Sequence, residues 1–159
     1  MKKVEIKYVQ NQLREYNVSE LDIIYKIRQK QEISINNSYH AKEVFLKNWN
    51  NKLNVIETFM LMLLNRANKI IGILPVSQGN MNGTVCDPKF ILAFALISGA
   101  SSIITCHNHP SGNTQPSEND IKISKLIKEG CKSIRINYLD NIIITPDGSY
   151  YSFQDNSIL

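Results

Sequence analysis

The sequence predicts a layered domain of the α/β or α+β class, with strands flanked by helices. Residues 57–64 and 70–76 are two nearly unbroken apolar runs. The polar Asn65-Arg66-Ala67-Asn68 between them is short enough for a hairpin. Further on, two helix patterns bracket a short apolar run at 102–106. Apolar strands and amphipathic helices in one chain bury their apolar faces by stacking in layers.

The elements follow in order. Val4, Ile6 and Tyr8 alternate with Glu5 and Lys7 at strand period. At 21–27, Ser19 and Asp22 would suit a helix cap, but Ile23, Tyr25 and Ile27 alternate, which favours a strand. Ser38 reads as the N-cap of a short helix to about Trp49, with Ala41, Val44, Phe45 and Asn48 on one side. The chain divides near Asn48-Trp49-Asn50-Asn51, so residues 1–50 read as an extension of strands and a helix packing on a main domain at 51–159. Gly79, Asn80, Asn82 and Gly83 mark a loop. Asp87 caps a helix with Pro88 in its first turn, and that helix ends near Gly99. Ser117 opens a second amphipathic helix, expected to stop at Gly130. Residues 133–138 and 142–145 read as two strands, and Asp147-Gly148 as a turn before Tyr150-Tyr151-Ser152-Phe153.

Composition narrows the classes. The chain has 159 residues, 43% hydrophobic and 20% charged, enough for one domain with a true core. Its net charge is +4, and residues 1–50 hold nine Lys/Arg against six Asp/Glu. That mild bias permits nucleic-acid contact without supporting it. Cys86, Cys106 and Cys131 are odd in number and form no C-x-x-C pair, which reads as reduced thiols in a cytoplasmic protein. No segment approaches the ~18 apolar residues of a membrane span. Oligomeric state leaves no mark on the sequence.

The chemistry concentrates in His107-Asn108-His109-Pro110-Ser111-Gly112, followed by Pro116-Ser117 and Asp120. The chain has three histidines, and two stand in one tripeptide. Positions i and i+2 of an extended chain face the same way, so both imidazoles can reach one ion while Asn108 points away. Pro110 and Pro116 bound a turn, and Asp120 falls in the first turn of the next helix, facing back. Two imidazoles and one carboxylate suit Zn²⁺ or another divalent metal, and three protein ligands leave a corner for water. Such a site needs a carboxylate outside the ligand set as general base. Glu57, at the head of an apolar strand, is the candidate, and its apolar neighbours suggest partial burial. Ser117 is the candidate oxyanion donor.

These residues resemble the JAMM (JAB/MPN) metalloprotease signature: His-x-His, seven residues, Ser, two residues, Asp, with an upstream Glu. The wording His107-Asn-His-Pro-Ser-Gly with Pro116-Ser117 is similar to its RadC-like branch. The likeness runs from about Val55 to Phe153 and includes Glu57-Thr-Phe59, Asp87-Pro88-Lys89, Leu139-Asp140 and the final Tyr-Ser-Phe. It implies a cytidine-deaminase-like core with a mixed sheet flanked by helices. It also implies zinc on His107, His109 and Asp120, water activation by Glu57, Ser117 at the oxyanion, and a peptide or isopeptide substrate. One departure stands out: Asn141 occupies a place where the family commonly has histidine. If that histidine supports the ligands, zinc binding or turnover is weaker here.

Plainer readings exist for each motif. Ser117-x-x-Asp120 is also a helix capping box, and beside two histidines the same residues can serve both ends. Cys106 alternates away from the ligands and reads as core. Phe45 and Trp49, four apart, read as helix-to-core packing. Lys122, Lys125, Lys128 and Lys132 trace a solvated helix face. Two competing functions remain. One is a DNA-associated factor, after the repair label of RadC-like proteins. The other is a zinc-bearing interaction module with little catalysis, suggested by Asn141.

Overall fold

The computed structural model describes residues 3–6, 23–26, 33–49, 53–79 and 86–159. Beyond Gly79, the expected loop at 79–83 lies outside them, as does the Asn50-Asn51 step. The chain forms two compact units, Met1–Gln31 and Glu32–Leu159. In the first, β1 (Lys3–Ile6) pairs antiparallel with β2 (Ile23–Lys26), so alternation decided the ambiguous segment correctly.

The second unit holds α1 (Ser38–Lys47), β3 (Thr58–Leu64), β4 (Ile70–Gln78), α2 (Pro88–Ile97), β5 (Ser102–Asn108), α3 (Glu118–Ser133), β6 (Asn137–Ile144) and β7 (Tyr150–Ser152). Its five strands run in the order β4-β3-β5-β6-β7. Only β5 and β6 are parallel. A parallel pair needs a long crossover, and α3 supplies it. The sheet is therefore mixed and flanked by helices, as expected.

Strands β3 to β6 feed two cores, one on each face of the sheet. Met60, Met62, Leu64, Ile104, Cys106, Ile142 and Ile144 pack with Ala41, Val44, Phe45 and Trp49 of the α1 region. Phe59, Leu61, Leu63 and Ile103 pack with Ile91 and Ala95 of α2 and Ile127 and Cys131 of α3. Burial on both faces explains why β3 is apolar without alternation. The Phe45–Trp49 packing is as expected, and Cys106 is fully buried on the α1 face.

Several boundaries differ from expectation. Asn37, not Ser38, caps α1, its side chain accepting from the His40 N–H. Asn48 lies exposed as the C-cap rather than on the buried stripe, and its Nδ2 donates to Val44 O at 2.8 Å. Helix α3 runs through Gly130 to Ser133. A Cβ at Gly130 would come within 2.6 Å of Leu92 Cδ1, so this glycine serves the approach of α2 rather than a helix stop. The two strands expected at 133–145 are one, β6, with a register irregularity opposite Ile103–Ile104. The buried ladder to β5 carries the strand through polar Asp140 and Asn141. Strand β5 likewise continues to Asn108.

Candidate metal centre

Strand β5 delivers the first histidine. His107 lies on the face shared with Phe59 and Ile103, its ring stacked on Phe59 at 5.7 Å. Past the strand's end, the His109 N–H still donates to Ile144 O at 2.9 Å. The ladder thus keeps residue 109 in step, and the two imidazoles meet with centroids 4.9 Å apart. A turn follows, closed by the Gly112 N–H on His109 O at 3.1 Å. Gly112 has φ +81, a left-handed conformation that a Cβ disfavours.

Ser117 and Asp120 then form a complete capping box at the head of α3. The Ser117 N–H and hydroxyl both donate to Asp120 Oδ2, at 2.7 and 2.6 Å. This turns the carboxylate toward the histidines. Asp120 Oδ1 lies 3.2 Å from His107 Nε2, and Oδ2 lies 3.5 Å from His109 Nε2. The two Nε2 atoms are 3.1 Å apart. A tetrahedral zinc with bonds of about 2.0–2.1 Å would space its ligand atoms about 3.3 Å apart. The three side chains can therefore hold one metal ion.

The surroundings prepare these donors. His109 Nδ1 lies 2.7 Å from Asn113 O. A carbonyl only accepts, so Nδ1 carries the proton and Nε2 presents its lone pair. Burial disfavours a charged His109, but Asp120 and the Asn113 carbonyl outweigh it and raise its pKa, with a smaller contribution from Glu57. Burial also opposes ionisation of Asp120. The bonds from His107 and His109 outweigh that and hold its carboxyl well below the usual range. The side chains of His107, His109 and Asp120 are 1%, 16% and 12% exposed, so the cluster is walled on one side and reachable from the other. His107 Nδ1 is buried without a hydrogen-bond partner among the described residues.

Glu57 is half-buried just before β3. Two residues on, Phe59 pairs with His107 in the last rung of the β3–β5 ladder. The charge of Glu57 reaches His109. Ser117 is exposed, and its one hydroxyl proton points at Asp120. Donation to a substrate requires that bond to turn away.

Asn141 is buried opposite Thr105, two positions before His107 on β5. Its amide donates to Ser124 Oγ at 2.7 Å and accepts from Thr105 Oγ1 at 3.0 Å. It ties β5, β6 and α3 together and spends both ends of its amide away from the ligands.

Two contributors were not evident from the motifs. The Asn113 carbonyl orients His109, and a backbone atom carries no sequence signal. Asn108 was expected only to point away, and it does so into partners more than fifty positions distant.

The model of the RadC-like JAB domain matches residues 35–158. The chain belongs to that family. A UPF0758 protein of Flavobacterium johnsoniae is 40% identical over 102 residues, covering 64% of this chain and 44% of that protein. One of Streptococcus uberis is 36% identical over 134 residues, covering 84% and 58%. One of Clostridium tetani is 43% identical over 103 residues, covering 65% and 45%. The chain thus spans about half the length of these relatives. The mixed five-stranded sheet with helices on both faces agrees with a JAB/MPN fold. No helix among the described residues is long and apolar enough to cross a membrane.

Proposed function

We propose that this RadC-like JAB domain is a metal-dependent hydrolase of the JAMM type that cuts a peptide or isopeptide amide bond. The observation that carries the reading is the spacing of the His107, His109 and Asp120 donor atoms, 3.1–3.5 Å apart, with the non-ligand carboxylate of Glu57 close enough for its charge to reach His109. Nitrogen and carboxylate donors suit zinc. When bound, the cation supplies Lewis acidity and brings the pKa of water toward ~7.

The chain's own residues do the rest. Glu57 takes a proton from the attacking water and returns it to the leaving amine. The Ser117 hydroxyl, turned from Asp120, donates to the oxyanion of the addition intermediate. The Asn113 carbonyl keeps His109 in one tautomer and orientation.

The test pairs metal analysis with turnover of fluorescence-quenched peptide libraries and lysine-isopeptide conjugates. One zinc per chain is expected, lost in His109→Ala. Glu57→Gln should keep the zinc and lower kcat about 10²–10⁴-fold. Zinc-loaded wild type that cuts no member of either panel would count against hydrolysis, as would a fully active Glu57→Gln.

A further inference from the structure

Asn108 stands between the two histidines and faces the other way, with no exposed surface. A carboxamide offers two N–H donors and one carbonyl acceptor in one rigid plane. Here Nδ2 donates to Leu53 O at 2.7 Å and to Ile56 O at 3.0 Å, while Oδ1 accepts from the Thr58 N–H at 2.7 Å. The second and third of these bonds flank Glu57. The Ile56 carbonyl belongs to the peptide plane before Glu57 Cα, and the Thr58 N–H to the plane after it. Holding both planes restrains φ and ψ of residue 57, and with them the direction of its Cα–Cβ bond. The Glu57 carbonyl is held as well, accepting from the Gly79 N–H at 2.9 Å.

We propose that Asn108 is a positioning residue for Glu57. The strand that carries the metal ligands uses the residue between them to set the base. The inference rests on the reading above, in which Glu57 moves the proton. A base must stay within hydrogen-bond reach of the proton it takes, and small misplacements are costly to rate. Because the three hydrogen bonds of the Asn108 side chain go to Leu53, Ile56 and Thr58, it acts on the base and leaves the ligands alone. Ordinary packing alone would have no reason to couple Asn108 to Glu57 in turnover.

Asn108→Ala removes all three bonds. Asn108→Asp, of the same size, keeps the Thr58 bond and, as a buried neutral acid, can donate to one of the two carbonyls instead of both, so it carries the test should the alanine variant fail to fold. Four quantities are measured: zinc affinity by chelator competition, amide exchange at Thr58, kcat and KM on the quenched peptide library, and kcat of each variant combined with Glu57→Gln. Zinc affinity should stay within about 3-fold of wild type, because the ligands are untouched. Thr58 exchange should speed up at least about 10-fold in Asn108→Ala and less in Asn108→Asp. In both, kcat should fall about 10–100-fold with KM unchanged. In the Glu57→Gln background the Asn108 substitutions should cost nothing further, as expected of groups acting as a unit. Unchanged Thr58 exchange in Asn108→Ala, wild-type kcat, or losses that multiply with Glu57→Gln would overturn the positioning role. Wild-type turnover by Glu57→Gln itself would instead overturn the reading beneath it.

Discussion

Removing the Ser117 hydroxyl separates the two uses of the Ser117–Asp120 pair. In Ser117→Ala, the Asp120 N–H loses its acceptor at 3.2 Å and Asp120 Oδ2 loses its donor at 2.6 Å. The backbone donation from the Ser117 N–H at 2.7 Å remains. Loss of a helix N-cap costs about 1 kcal/mol, which lowers Tm by about 3–6 °C in a domain of this size. The retained backbone bond keeps the carboxylate near its place, so metal affinity should fall toward the lower end of the range for supporting groups, about 10-fold. A hydroxyl that also serves the oxyanion would add a drop of about 10²–10³-fold in kcat. Thermal unfolding of the metal-free chain, chelator competition and kcat of the zinc-loaded chain read the three effects separately. Ser117→Thr should restore all three. A Ser117→Ala protein with wild-type Tm and wild-type zinc affinity would refute the claim that the hydroxyl orients Asp120. A normal kcat with the other two reduced would confine Ser117 to the cap.

Further outcomes follow from the same geometry. Zinc at a hundred times its Kd should stabilise the chain by about 2.7 kcal/mol, seen as a Tm rise that His109→Ala abolishes; equal shifts in both proteins would place the ion elsewhere. Asn141→His forces a larger ring between Ser124 and Thr105, at a cost of about 1–3 kcal/mol, and zinc affinity should stay within a few fold. A gain above about 10-fold would show that position 141 does serve the ligands. Asp140 is pushed up to about 6 by burial, against bonds from Ser152 and Gln154. Its folded pKa lies above the unfolded one. The associated stability is therefore present below about pH 4 and is lost as pH rises through 6, by at most about 3 kcal/mol. The stability difference between Asp140→Asn and wild type should shift toward the variant by up to that amount between pH 4 and 6.5. A difference constant across that window in denaturant titrations would contradict it.

Much of the centre was readable in the chain because its rules are local. Strand period two sets His107 and His109 on one face whatever else the protein does, and Ser117-x-x-Asp120 closes its own capping box within one helical turn. The apolar run of β3 has a local reason too: burial on both faces leaves no alternation to read, and the short polar step after it announced the hairpin to β4. What tertiary structure alone decided involves partners distant in sequence. The pairing of β3 with β5 brings the chain around Glu57 to the histidine strand, and Asn108 finds Leu53, Ile56 and Thr58 across that pairing. Gly130 reads as a helix stop until the packing of Leu92 shows why a small residue stands there, and Asp140 and Asn141 read as a break until the ladder to β5 carries β6 through them. Side-chain hydrogen bonds of this kind persist where burial excludes competing water and the sheet fixes both partners. Those conditions exist only once the chain has folded.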